Sequence, residues 1–175
     1  MGKVMQDPLA RFSGKRTSRS ARVTRELGIR LGRLLKPGDV VALEGDLGAG
    51  KTELVRGACA GARVPAKEVS SPSFAIVATY RGRLTVHHAD LYRLADEDEL
   101  HAIGFDELVG GEGALVVEWA DRIPGALPAE RLEVRLAHAR SPSSRRVTLA
   151  GTGARHAALA RALAEGRRRA RAPRE

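Results

Sequence analysis

No disulfide can close within this chain, because Cys59 is its only cysteine and a bridge needs a pair. No apolar run approaches the roughly 18 residues of a membrane span, and no early charged-then-apolar stretch has the form of a signal peptide. The expected location is therefore the cytoplasm, with no membrane partner. Internal repeats are missing too, which removes solenoids and propellers. What remains is 175 residues, a length that suits one domain able to bury about 70% of its unfolded surface without staples.

The body of the chain also lacks net charge. The total of +9 suggests nucleic acid at first sight, but residues 1–19 carry net +4 and residues 155–175 net +5. Between them, 18 basic residues balance 18 acidic ones. The basicity belongs to the ends, which leaves two readings: arms that hold RNA phosphates without reading sequence, or solvated tails without a role. Residues 1–16 show no apolar periodicity and are expected to be unstructured and basic, residues 17–165 to form the domain, and residues 166–175 to be an Arg-rich tail.

Against these absences stands one strong motif. Val40-Val41-Ala42-Leu43 is a short apolar run, followed by Gly45-Asp46-Leu47-Gly48-Ala49-Gly50-Lys51-Thr52 and a helix-forming segment. This is G-x-x-x-x-G-K-T between a strand and a helix, the context a phosphate-binding loop requires. Its glycines allow φ > 0, so backbone N–H groups can wrap around phosphate oxygens. Lys51 stands at the first turn of the helix, where its ammonium and the helix N-terminus act on the same anion. Thr52 offers a hydroxyl to Mg²⁺. Nucleotide binding follows.

Around the loop, Val23, Leu27, Leu31 and Leu34-Leu35 recur at helical spacing after Ser20 and stop at Pro37-Gly38, predicting an amphipathic helix. Its Thr24 either approaches the base or lies on the helix surface. The helix after the loop should end near Gly61. Residues 74–80 and 84–89 read as strands joined by Arg81-Gly82-Arg83, hence antiparallel, so mixed pairing is expected rather than a purely parallel sheet. Ser71, Ser73 and Tyr80 admit two readings, a switch-like segment over the γ-phosphate or a plain turn into a strand. Asp96–Ile103 is a short helix with an acidic first turn, stopped near Gly104. Residues 132–136 and 146–149 alternate as a hairpin through Ser141–Ser144, and residues 154–165 form an alanine-rich closing helix.

Ala114-Leu115-Val116-Val117-Glu118-Trp119 is an apolar run closing on a carboxylate, the way a central strand delivers an acid to the metal of a P-loop enzyme; the alternative is a strand that ends in a surface glutamate. Asp90 also closes a strand, beside His87 and His88. A zinc site there lacks third and fourth ligands, whereas Mg²⁺, which keeps its waters, needs few carboxylates. Asp90 either holds a metal-bound or attacking water or caps the turn at Leu91-Tyr92-Arg93. Arg145 and Arg146 are either phosphate or ribose contacts or surface residues.

Taken in order, GDLGAGKT (45–52), SPSF (71–74), HADLYRL (88–94), IGFD (103–106) and EWA (118–120) resemble the bacterial TsaE (YjeE) family, across about residues 17–153. The resemblance implies an ATPase needed for threonylcarbamoyladenosine in tRNA, at the adenosine beside the anticodon, acting with the TsaD and TsaB subunits. It also implies that Leu47, Gly48, Ala49, Gly50, Lys51 and Thr52 hold ATP phosphates, that Thr52 and Glu118 hold Mg²⁺, and that Asp90 lies at the nucleotide and metal site. Arg145 matches a nucleotide-contacting position. Lys51, Asp90 and Glu118 become the catalytic candidates. Two residues depart from the family's habit: Glu53 stands where a second threonine is usual, and Ser73 where SPTF has threonine.

The expected fold is a single α/β P-loop NTPase-like domain with a mixed sheet flanked by helices. The expected chemistry is in-line attack of water on the γ-phosphate, with Lys51, the loop amides and the metal stabilising the developing charge. No residue stands out as a strong general base, so turnover should be slow alone and stimulated by partners. Two rivals remain, a P-loop small-molecule kinase and a non-catalytic ATP-binding regulatory module.

Overall fold

The strands that read as unbroken apolar runs lie at the centre. In a computed structural model describing residues 10–69 and 75–165, β2 (Val40–Glu44) and β5 (Ala114–Glu118) run parallel, with Leu43 opposite Glu118. Both are buried from both sides, so neither shows alternation. Beyond β5 come β4 (Val86–Asp90), parallel to it, and the antiparallel β3 (Val77–Tyr80). Beyond β2 come β6 (Leu132–His138), parallel, then β7 (Arg145–Thr152) and β1 (Arg11–Ser18), each antiparallel to its neighbour. The result is one seven-stranded mixed sheet with helices on both faces, the α/β P-loop NTPase-like architecture.

α1 (Ala21–Leu34), α2 (Lys51–Gly61) and α4 (Ala154–Ala164) cover one face, packing Leu27, Leu31, Leu54, Ala58, Leu159 and Leu163 against Val41, Leu43, Val116 and Val134. The other face, over Val40, Ala42, Leu115 and Val117, is closed by α3 (Glu97–Ala102) and the turns around Phe105 and Ile123. Ser20, the serine that precedes the apolar periodicity, caps α1 by accepting from the Val23 N–H at 3.3 Å; Asp96, expected within the first turn of α3, is its cap instead and accepts from the Glu99 N–H at 3.0 Å. α1 and α2 touch through glycines: a Cβ at Gly32 would collide with the Ala58 carbonyl. Cys59, on the same helix as Ala58, is buried in the core, and that burial pushes its thiol up to about 12.

One expectation is overturned at the N-terminal end. Residues 10–16 are not unstructured; Arg11–Ser18 form the edge strand β1, paired along its length with β7. Its inward residues are Phe12, Gly14, Arg16 and Ser18, too polar and too small to register as an apolar stripe. They are accommodated individually. Arg16 donates to the Leu163 carbonyl at 2.5 Å, a terminal acceptor of α4, and the Arg161 guanidinium lies 5.3 Å from the Phe12 ring centre. Residues 1–9, the SPSF stretch and the Arg-rich tail lie outside the described residues.

Candidate functional site

The loop after β2 is built on glycine. Gly48 and Gly50 have φ of 73° and 103°, a region closed to most side chains. Gly50 is also the N-cap of α2, and no side chain caps that helix. An uncapped helix N-terminus flanked by positive-φ glycines presents N–H groups and partial positive charge, which suits an anion with several acceptor oxygens.

Lys51 is 4% exposed although it is a lysine. Its Nζ donates to the Asp46 carbonyl at 3.0 Å and to the Gly45 carbonyl, and lies 3.6 Å from the centre of the Trp119 ring. Burial pushes its ammonium below the ordinary value, and Glu118, Asp121, Asp90 and Asp46 pull the other way. The charge is thus held by carbonyl dipoles, an aromatic face and nearby carboxylates.

Glu118 ends β5 at 3% exposure, which settles its two readings against the surface one. The Thr52 hydroxyl lies 3.2 and 3.3 Å from its two oxygens, and His88 Nε2 is 2.9 Å from Oε1. Parallel pairing sets Asp90 beside Glu118, so two carboxylates and a hydroxyl share the edge of the loop. Such hard oxygen donors suit Mg²⁺. Asp90 also accepts from the Tyr92 N–H at 3.0 Å; it caps the turn and faces the cleft at once.

Leu47, Lys51, Thr52, Asp90, Glu118 and Trp119 line one open cleft of about 380 Å³, with Gly48 and Gly50 on its rim. Ala49 is fully buried and belongs to the loop's support. Arg145 acts from beneath: its Nε and Nη2 donate to the Ala49 and Gly48 carbonyls, each at 3.1 Å. Arg146, next on β7, is exposed.

Three further readings are decided. Thr24 is not on the surface; it is 1% exposed, 2.7 Å from the Ser18 hydroxyl, against Gly50. Tyr80 is 5% exposed in the core, with its ring 6.4 Å from that of His88, so it is no part of a segment over the cleft. Glu53 pairs with Arg25 at 3.3 Å and Arg56 at 2.6 Å, so its charge is neutralised at the cleft edge.

Trp119 was not foreseen as a site residue. It holds φ 57°, the left-handed region that costs a non-glycine of order 1 kcal/mol or more. That backbone turn swings its ring over Lys51 and to 4.8 Å from Tyr92. The only signal in sequence is an aromatic directly after the strand-ending acid.

Comparison with known proteins agrees with this fold. The family model described as "Threonylcarbamoyl adenosine biosynthesis protein TsaE" matches residues 18–147. A Treponema pallidum protein named tRNA threonylcarbamoyladenosine biosynthesis protein TsaE is 44% identical over 119 residues, 68% of this chain and 87% of its own length. A Bacillus subtilis protein of the same name is 42% identical over 129 residues, 73% of this chain and 79% of its own. Among solved structures, crystalline Bacillus subtilis YdiB superposes with a TM-score of 0.74 at 32% identity, covering 89% of this chain and 97% of that one.

Proposed function

The chain belongs to the TsaE family, and from that premise we propose that it is a Mg²⁺-dependent ATPase serving threonylcarbamoyladenosine formation in tRNA, together with TsaD and TsaB. The observation that carries this reading is the convergence of Lys51, Thr52 and Glu118 on one cleft at an uncapped helix N-terminus. In this reading Lys51 exchanges its Gly45 and Asp46 carbonyls for phosphate oxygens. The N–H groups of residues 48–52 hold the β- and γ-phosphates. Thr52 and Glu118 hold the cation, which when bound supplies charge neutralisation for the departing phosphate. Asp90, already tethered to the Tyr92 amide, orients water at the open end.

Among the described residues that line the cleft there is no histidine, and Asp90 and Glu118 are carboxylates, weak as general bases. We therefore expect slow hydrolysis by the protein alone and faster hydrolysis when partners complete the site. The basic chain ends offer tRNA phosphates a sequence-independent contact, and the setting is cytoplasmic.

The test is phosphate release from ATP and Mg²⁺, with and without TsaD and TsaB, alongside Lys51→Ala and Glu118→Ala. The expected result is weak basal release, stimulation by the partners, and a loss of roughly 100-fold or more in both variants, the scale of removing one preorganised charge-stabilising group. ATP binding without any hydrolysis would replace this reading with a regulatory module, and transfer of phosphate to a small acceptor would replace it with a kinase.

A further inference from the structure

His88 is not used by the mechanism above, yet it is among the most deeply buried polar side chains of the described residues, at 1% exposure. It lies two residues before Asp90 on β4, so both side chains leave the strand on the same face. That face also carries Glu118, which pairs with Asp90 across the parallel register. One imidazole nitrogen, Nε2, lies 2.9 Å from Glu118 Oε1. The other, Nδ1, is buried without a hydrogen-bond partner.

This is a costly arrangement for a core position. A buried polar atom without a partner costs about 1–3 kcal/mol, and the neighbouring wall is apolar, with Val86, Val116 and Tyr80 in the same cluster. A leucine would satisfy packing better. The bond to Glu118 is what the ring adds. Since a carboxylate is an acceptor only, Nε2 is the donor in this contact.

The consequence falls on Glu118. Its Oε1 receives the His88 N–H and the Thr52 hydroxyl, at 2.9 and 3.2 Å. Its Oε2 has Thr52 alone, at 3.3 Å. His88 therefore occupies one carboxylate oxygen from the core side and ties the rotamer of the other toward the cleft.

We propose that His88 is a positioning residue for the cation: through Nε2 it fixes the Glu118 carboxylate so that one oxygen is presented to a divalent ion bound with the nucleotide. The inference rests on the ATPase reading above. Partners of this kind, which orient a metal-holding carboxylate, typically change metal affinity by roughly 10- to 100-fold when removed.

The experiment measures equilibrium binding of the nonhydrolysable analogue AMP-PNP to the full chain, in EDTA and across a Mg²⁺ titration. It compares wild type with His88→Leu, His88→Gln and His88→Asn. Gln can place an amide N–H where Nε2 stands, and Asn is too short. The expected result is that all four bind alike in EDTA, that Leu and Asn need roughly 10-fold more Mg²⁺ for half-maximal enhancement, and that Gln restores most of the wild-type response. Equal Mg²⁺ dependence in Leu, Asn and wild type, with only thermal stability changed, overturns the proposal and leaves His88 a core residue. If His88→Leu does not fold, Gln against Asn decides the question: equal responses overturn the proposal, and a Gln-only rescue supports it. Wild-type binding that ignores Mg²⁺ defeats the cation reading itself and the proposal with it, an outcome separate from either of these.

Discussion

Arg145 stands 94 positions after Lys51 in the chain, yet its guanidinium touches the backbone carbonyls of Gly48 and Ala49. Four donors are used, to Gly48, Ala49, Pro142 and Ser144, so the side chain ties the β6–β7 hairpin to the phosphate loop. Replacing it with alanine strips the loop of its brace without filling or emptying the core. The expected outcome for Arg145→Ala is a roughly 10-fold weaker nucleotide affinity, about 1.4 kcal/mol, measured by titration calorimetry. Arg145→Lys should not restore it, because an ammonium lacks the planar fork that reaches two carbonyls at once. At this scale the motif residues were legible because their chemistry is tied to type and spacing. Thr24, Trp119 and the true exposure of Glu118 were not, since burial and a left-handed φ come from neighbours that lie far along the chain.

α1 and α2 approach so closely that their contact is backbone against backbone. Gly28 and Gly32 on one helix meet Gly57 and Gly61 on the other, and a Cβ at any of the four would press into a facing carbonyl. Periodicity announced α1 as amphipathic, but not which of its glycines faces a partner. The close seam matters for function because α2 carries Lys51 and Thr52 at its start. Gly32→Ala should therefore cost about 3 kcal/mol, the upper part of what overpacking usually costs, read as a lower urea midpoint with an unchanged slope. A surface glycine with free space, such as Gly104, would make a poor control, because its φ of 72° adds strain of its own; Leu34→Ala, on the exposed side of α1, serves better and should change stability little.

Across the whole molecule, the start of β2 is clipped to the C-terminal helix. Asp39, 4% exposed, accepts from Arg155 Nε at 2.9 Å and Nη2 at 2.5 Å, and from the Lys36 amide at 2.8 Å. Arg155 also donates to the Leu34 carbonyl at 2.7 Å. His156, next on α4, accepts the Val40 N–H through Nε2 at 3.3 Å. Burial pushes the His156 imidazole below its ordinary 6.5, with Asp39 opposing and Arg155 adding to the push. A depressed folded value means that the unfolded chain takes up the proton first as pH falls. Stability from this clip is therefore complete above about pH 6.5 and declines as pH drops through the lower folded value. Burial moves His87 in the same direction, whereas Asp106 raises the exposed His101. Thermal melts from pH 7.5 to 5.0 should show a falling midpoint, and His156→Gln, which keeps an acceptor for Val40, should flatten the fall.

By itself the sequence determined the phosphate loop, the acid at the end of β5, the start of α1 and the mixed pairing, because each depends on residues close together in the chain: a glycine spacing, an apolar run, a serine before a helix, a turn too short for a crossover. Tertiary structure alone decided that Arg11–Ser18 is a strand, since its inward arginine and glycine are stable only against the end of α4. It decided, too, that His88 lies beneath Glu118 and Trp119 over Lys51. Those contacts join β4, β5 and α2 across the sheet, and no local pattern encodes a distance between side chains that only the register of three separate elements brings together.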